Sequence, residues 1–341
     1  MNAEPRDAAA LSLAAARRAG LFAMAVPRCA GGAGAGLRTQ VRVIAKLGRG
    51  CPSTAWIAAL SAALKSVCSP VFPKEARAVL FADPDAVVCG STTPVGAEGE
   101  RTGYGVSISG RWRAVAGCED AAWAVLAVPV RTRSQLLPPC PVLISTRDLT
   151  VERTAPTNGM AGTGSHTLVA QDVVVPTTHV MCTPSEAAGE PAPPGASAAL
   201  LGMVVLTLAP LLGAARGALC ATEEGWTGTG TGAARLVDSA TRRALHVAGV
   251  LDALGKSPSL PSQEHARLRS ETMTATQECR EAVEKLLDLH GVGDSAPDVA
   301  LRRLWRDVVV ITRHPRFSPH TVAEHYGRVL FGPESGAASV V

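Results

Sequence analysis

A chain of 341 residues is long enough to bury a large core and to build more than one packed layer. Its 47% hydrophobic and 18% charged residues mark a globular chain, and a net charge of +4, dispersed along the sequence, argues against nucleic acid as a partner. Aromatic residues make up only 4%, and the abundance of alanine predicts helices that pack closely through small side chains.

The first 84 residues read as helical, with Ala8–Ala19, Leu37–Leu47, Thr54–Val67 and Lys74–Phe81 as the separate helices. The glycine-rich run Gly31–Gly36 invites comparison with a phosphate-binding loop. No convincing strand precedes it and no βαβ unit follows, so it reads as a connection. Between about 85 and 180 the pattern becomes β. Ala86–Ser91, Gly103–Ser109, Ala122–Val130, Pro141–Ser145, Thr150–Thr154 and Ser165–Val175 are short runs rich in Val, Ile and Thr, separated by turn residues. With no helix between them, an antiparallel sheet or small barrel is expected. Residues 183–197, rich in Pro, Ala, Gly and Glu, read as a linker. Beyond it Ala199–Glu224, Ala233–Leu254, His265–His290 and Ala300–Thr312 read as four long helices, the number needed for a bundle. The expected organisation is therefore α+β: a helical domain over 1–84, a central antiparallel β-domain over 85–182, the linker, and a four-helix bundle over 198–341.

The nine cysteines are spread along the chain, with no CxxC pair and no His/Cys cluster at metal-ligand spacing. Together with an N-terminal stretch that does not read as a leader peptide, this favours reduced thiols, a cytoplasmic protein and no structural metal. The most apolar run, Ala198–Leu212, contains Gly202 and Pro210 and reads as a buried core helix, so no membrane association is expected.

One histidine stands out. Leu301, Leu304, Val308 and Ile311 recur at helical spacing, and His314 follows on roughly the face of Asp307, just before Pro315. Proline cannot continue the helix, so His314 sits at a helix end, and its ordinary pKa near ~6.5 suits proton transfer. Capping its own helix or pairing with Asp307 is the structural alternative.

Several segments, in order along nearly the whole chain, resemble one branch of the acyl-CoA dehydrogenase family. They are Ala23–Pro27, Leu47–Trp56, Ser109–Trp112, Gly117–Cys118, Gly162–His166 running to Pro176, Gly213–Ala218, and Leu304–Asp307 with His314 and Tyr326–Gly327. The branch is that of the two-component, reduced-flavin-dependent monooxygenases similar to p-hydroxyphenylacetate 3-hydroxylase oxygenase components and their natural-product relatives. The resemblance implies a helical domain, a β-domain and a C-terminal bundle, assembled as a homotetramer or homodimer. It implies reduced FMN or FAD supplied by a separate flavin reductase, reaction with O2 to a C4a-hydroperoxide in dry surroundings, and oxygen transfer to an aromatic small molecule in secondary metabolism. By family position His314 is the expected catalytic base. Ser53, Trp56, Trp112, Ala116, Gly117, Gly164, Ser165, Arg216 and Arg306 are the expected flavin-side residues, and Lys65 and Cys118 the expected substrate-side ones.

Each assignment has a structural competitor. Ser53 could cap its helix, Trp56 and Trp112 could be core, and Arg216 and Arg306 could form ion pairs. Gly162–Ser165 could be only a tight turn. Strand alternation puts Ser165 and His166 on opposite faces, with Ser165 the one taken to line the cleft. The chain also departs from the family pattern. Ala116 stands where a serine is usual, and Lys65 lies near the position of a flavin-facing histidine. These departures keep three alternatives in play: an amine N-oxygenase, an acyl-CoA dehydrogenase-like oxidoreductase (Glu324 matching no catalytic motif), and a flavin-free relative acting in binding or cyclisation.

Overall fold

The computed structural model describes residues 5–132, 136–155, 157–181, 196–222, 231–255, 260–290 and 295–318. Tyr326–Gly327, Glu324, Cys182 and almost all of the expected linker lie outside the described residues. Four helices come first: α1 (Pro5–Arg18), α2 (Leu37–Gly48), α3 (Pro52–Val71) and α4 (Lys74–Leu80). A seven-stranded sheet follows, with β1 (Val88–Ser91), β2 (Val95–Arg101), β3 (Val106–Val115), β4 (Trp123–Arg131), β5 (Leu136–Ser145), β6 (Thr150–Glu152) and β7 (His166–Val175). Four long helices end the described chain: α5 (Ala196–Thr222), α6 (Thr231–Ala253), α7 (Ser262–His290) and α8 (Ala296–Thr312). The α–β–α order is the one expected.

The described residues divide into two compact units, one built from 5–36 and 53–181 and the other from 37–52 and 196–318. Helix α2, expected within the N-terminal helical domain, thus belongs with the C-terminal helices.

In the first unit the strand order is β1-β4-β2-β3-β7-β6, with β5 on the other side of β4. The β2–β3, β3–β7, β6–β7 and β4–β5 ladders are antiparallel, but β1 and β2 both run parallel to β4. The sheet is therefore mostly antiparallel and not wholly so. Strand β2 escaped the sequence reading because its inward positions are Ala97 and Gly99, not β-branched residues. A Cβ at Gly99 would already touch methyls of Val106, Val128 and Val130 at 3.2–3.3 Å, so larger apolar neighbours fill the space that a branched residue would need. Helix α3 is buried on almost every side from Ser53 to Lys65, as an apolar helix without a polar face must be.

In the second unit α5 is long and apolar enough to cross a membrane by length and composition, yet 89% of its apolar window is buried inside the protein. Val205, Leu208, Ala209, Leu211, Ala214, Ala215 and Ala218 are fully buried. Pro210 lies inside the helix, and the Thr207 hydroxyl donates back to the carbonyls of Met203 and Val204. Helix α2 lies directly against α5, because the contact is made of glycine. A Cβ on Gly213 would fall 2.4 Å from the Ala45 carbonyl oxygen and 2.7 Å from the Gly48 Cα. One on Gly217 would fall 2.5 Å from the Arg49 carbonyl oxygen. At its other end α2 is held by Asp252, whose two carboxylate oxygens accept from the Leu37 and Arg38 N–H groups at 2.6 and 2.9 Å. A carboxylate at a helix N-terminus satisfies unpaired donors and complements the helix dipole.

Cys29, Cys51, Cys89, Cys118, Cys220 and Cys279 are free thiols, whereas Cys140 is disulfide-bonded, against the expectation of reduced thiols throughout.

Gly213→Ala forces backbone apart and should lower unfolding stability by about 1–3 kcal/mol in urea denaturation, outweighing alanine's helix propensity. Gly202→Ala in the same helix meets nothing closer than Leu37 at 3.8 Å and should be neutral or slightly stabilising.

Candidate functional site

Several of the residues that carried the resemblance in the first unit converge on one loop. Between β6 and β7 the chain makes a 3-10 turn, Ala161–Thr163, bracketed by two left-handed residues, Met160 (φ 57°) and Gly164 (φ 53°). Left-handed backbone costs a methionine about 1 kcal/mol, and strain of this kind persists only where surrounding contacts impose it. The contacts are visible. A Cβ on Gly162 would sit 2.6 Å from the Ala9 Cβ and 3.1 Å from the Ser53 Cβ, so α1 and the start of α3 press on the turn. The Gly117 N–H donates to the Thr163 carbonyl at 2.7 Å, with Gly117 itself left-handed (φ 74°), and the Cys118 thiol reaches the Gly164 carbonyl at 3.5 Å. Ser53, Gly117, Cys118, Gly164 and Ser165 are thus one neighbourhood.

The polarity of this loop follows from its hydroxyls. Thr163 Oγ1 donates its single proton to the Met160 carbonyl at 2.7 Å and lies 2.8 Å from Ser165 Oγ. In that pair Ser165 must therefore be the donor, which leaves the lone pairs of the half-buried Ser165 oxygen as acceptors. Thr163 was not singled out in the sequence, although its place between two glycines two residues before Ser165 was the available signal. His166 faces elsewhere, as alternation required. It is buried, its Nδ1 accepts from the Thr154 N–H at 3.1 Å, and its Nε2 lies 3.5 Å from Glu119 Oε2.

Other assignments move to structural roles. Trp112 is fully buried and its Nε1 donates to the Ala127 carbonyl at 3.0 Å, which makes it a sheet-core residue. Trp56 and Ala116 are buried as well. Cys118 is buried with its thiol directed at the Gly164 carbonyl. Lys65, expected to hold a substrate or flavin anion, is 1% exposed and donates to the carbonyls of Phe22 and Pro84 at 2.7 and 2.8 Å. Burial pulls its pKa down to about 8, with Asp85 and Asp83 opposing. Asp85 in turn accepts from the Phe22 and Ala23 N–H groups, so Lys65 and Asp85 together bind the 21–23 turn.

In the second unit His314 lies just past the end of α8, as expected, but its ring is engaged by the backbone. Its Nδ1 accepts from the Arg316 N–H at 3.2 Å and so caps the 3-10 turn Pro315–Phe317. An Nδ1 that accepts carries no proton, which places the proton of the neutral ring on Nε2. Burial, reinforced by the Arg316 charge, lowers its pKa to about 4. Arg216 forms an ion pair with Asp238, and Arg306 is exposed on α8. Neither is arranged with His314 by any described hydrogen bond. Among the described residues no group of three or more His, Cys, Asp or Glu is placed to hold a metal ion.

This fold and loop define a protein of the acyl-CoA dehydrogenase fold. Residues 2–72 match the acyl-CoA dehydrogenase N-terminal domain and residues 231–319 its C-terminal domain. Over 230 residues the chain is 36% identical to the oxygenase component of an FADH2-dependent resorcinol hydroxylase of Rhizobium sp., a match spanning 64% of this chain and 55% of that protein. It is 26% identical to the flavin-dependent monooxygenase oxygenase subunit HsaA of Rhodococcus jostii, over 94% of this chain and 91% of that one. Among solved structures, XiaF from Streptomyces sp., in complex with FADH2 and glycerol, superposes with a TM-score of 0.84 at 26% identity, covering 96% of this chain and 90% of that one. The two ends of the chain thus match acyl-CoA dehydrogenase domains, and the proteins it resembles include oxygenase components of flavin-dependent monooxygenases.

The Lys65 arrangement has a measurable signature. Its folded pKa lies below the unfolded value of 10.5, so the unfolded chain binds the extra proton between about pH 8 and 10.5. Stability should rise with pH across that window, by roughly 3 kcal/mol for this group alone. Comparing wild type with Lys65→Met by denaturant titration should show that rise only in the wild type.

Proposed function

We propose that this chain is the oxygenase component of a two-component monooxygenase that uses reduced flavin and O2 to hydroxylate an aromatic small molecule. The observation that carries the reading is the Met160–Ser165 turn. Left-handed Gly164 removes side-chain bulk from the backbone, and the hydroxyl pair presents an acceptor at Ser165. These are uncharged hydrogen-bonding groups, and they fit the uncharged N–H and C=O edge of an isoalloxazine ring. When bound, the flavin supplies the electrons and the oxygen-activating chemistry. The protein's own part is to accept a flavin N–H at Ser165 and to keep the turn rigid through Thr163, Gly117 and Gly162. The relatives' substrates, resorcinol among them, motivate an electron-rich aromatic ring. FAD and FMN each appear with a similar fold, FADH2 on XiaF and FMN on TdsC from Paenibacillus, so either flavin suits the proposal.

His314 acts in this reading as a hydrogen-bond donor through Nε2, not as the resting base expected from family position. Nδ1 is committed to Arg316, and at a pKa of about 4 the ring is neutral and weakly basic. Donation to a substrate or flavin oxygen stabilises charge developing on it. A partner flavin reductase, a homotetramer or homodimer, a cytoplasmic location and a place in secondary metabolism belong to the same proposal and rest on the resemblance.

The decisive experiment is anaerobic titration of the protein with chemically reduced FMN and FAD, followed by oxygen with candidate phenols present. Saturable binding and a hydroxylated product are expected, and the absence of both would overturn the reading. Ser165→Ala should weaken reduced-flavin binding about tenfold, the worth of one hydrogen bond. His314→Ala should cut product formation on the order of 10²-fold while leaving flavin binding intact. Because His314 is already neutral, its contribution should stay constant from pH 6 to 8. A loss of wild-type rate below pH 6.5 that disappears in His314→Ala would restore the base role.

A further inference from the structure

Several arginines of the second unit are ion-paired. Arg216 has Asp238, Arg243 has Glu271 and Glu278, and Arg267 has Glu264. Two are different. Arg269 on α7 donates from Nη1 to the Thr272 hydroxyl at 3.2 Å and from Nη2 to the Arg316 carbonyl. Arg316, in the turn after α8, has a buried Nη1 with no hydrogen-bond partner. Among the described residues neither guanidinium has a carboxylate within ion-pair distance, and both are largely withdrawn from water. Burial alone lowers the pKa of Arg269 to about 10 and lowers that of Arg316. An arginine does not escape such a cost by losing its proton near neutral pH. A buried charge without a partner is strongly unfavourable, so the site calls for an anion.

We propose that Arg316, positioned by Arg269 through its own carbonyl, forms an oxyanion-binding subsite beside His314. Arg316 as a whole residue keeps part of its surface open to solvent, while its Nη1 is buried. A planar guanidinium offers paired donors to a carboxylate or phosphate oxygen pair. The shared chemistry is an oxyanion, carried either by the carboxylate of an aromatic substrate or by the phosphate of the flavin. The charge imbalance stands on these residues alone, while the choice of carrier rests on the monooxygenase reading. Arg316 also depresses the His314 pKa through its charge, so an anion bound to Arg316 must raise it.

The test uses the full chain without flavin, in low-salt buffer, with benzoate and inorganic phosphate as separate probes. Isothermal titration and thermal melting should show saturable binding of at least one. Affinity should fall about tenfold or more in Arg316→Gln, the loss expected for a charge-assisted hydrogen bond. Arg316→Lys keeps the charge without the fork and should fall between. Without anion, Arg316→Gln should melt above the wild type, whereas a merely structural arginine would make it melt below. In the wild type, NMR titration of the His314 ring should show its midpoint moving up when the probe saturates. Benzoate binding alone assigns a substrate carboxylate, phosphate binding alone assigns the flavin phosphate, and competition between the two assigns a general oxyanion site. If neither probe binds, or if Arg316→Gln binds them as well as wild type, the subsite does not exist. Since no flavin is present, that failure is separate from failure of the anaerobic flavin titration.

Discussion

The contact on which the second unit depends is backbone against backbone, where α2 meets α5. Gly48, Gly213 and Gly217 let the two helices approach until main-chain atoms touch, and Asp252 fixes the far end of α2 by taking its first N–H groups. The chain leaves the first unit at Leu37 to make this contact and re-enters it at Ser53, the residue that meets Gly162. The Leu47–Trp56 and Gly213–Ala218 segments, prominent in the sequence, therefore encode a close helix crossing as much as any chemistry.

Within the first unit the same economy of glycine shapes the loop. Gly162 admits Ser53 and Ala9, Gly164 turns the chain, and Gly117 delivers an N–H to the Thr163 carbonyl. What remains for a ligand is narrow in type: a hydroxyl whose proton is already donated inward. Such a group selects for N–H over C=O, a distinction no residue count could make, because serine is in principle both donor and acceptor.

Much of this was legible in the sequence. Helix positions followed from apolar periodicity, and most strands from β-branched runs between turns, because burial on one face imposes those periods. Strand β2 was missed where glycine and alanine occupy its inward face. The parallel pairing with β4 was invisible because pairing partners far apart in the chain leave no local mark. Lys65 misled for a related reason: a lysine on an apolar helix looks like a ligand group until the two carbonyls that absorb its charge are seen. The turn before Ser165 was legible from its glycines, but its hydrogen-bond polarity depends on Thr163 and Met160. The place of His314 at a helix end was legible, and its tautomer was not, since the N–H that sets it belongs to a neighbour's main chain.

Arg316 controls His314 twice, and the two controls are separable. Its main-chain N–H occupies Nδ1 and so fixes the tautomer of the neutral ring, a hydrogen bond that protonation of the ring would break. Its side-chain charge disfavours a proton on the ring, and that control reverses when an anion neutralises the guanidinium. With the oxyanion absent, His314 is a neutral donor of low basicity. With it present, the ring keeps the same donor atom but can hold a proton at higher pH. A bound acidic ligand would then tune the proton affinity of the histidine next to it, and uptake of that proton on Nδ1 would release the Arg316 N–H. The departure from the family pattern at Ala116 removes a hydroxyl from the first unit and leaves this electrostatic route in the second unchanged.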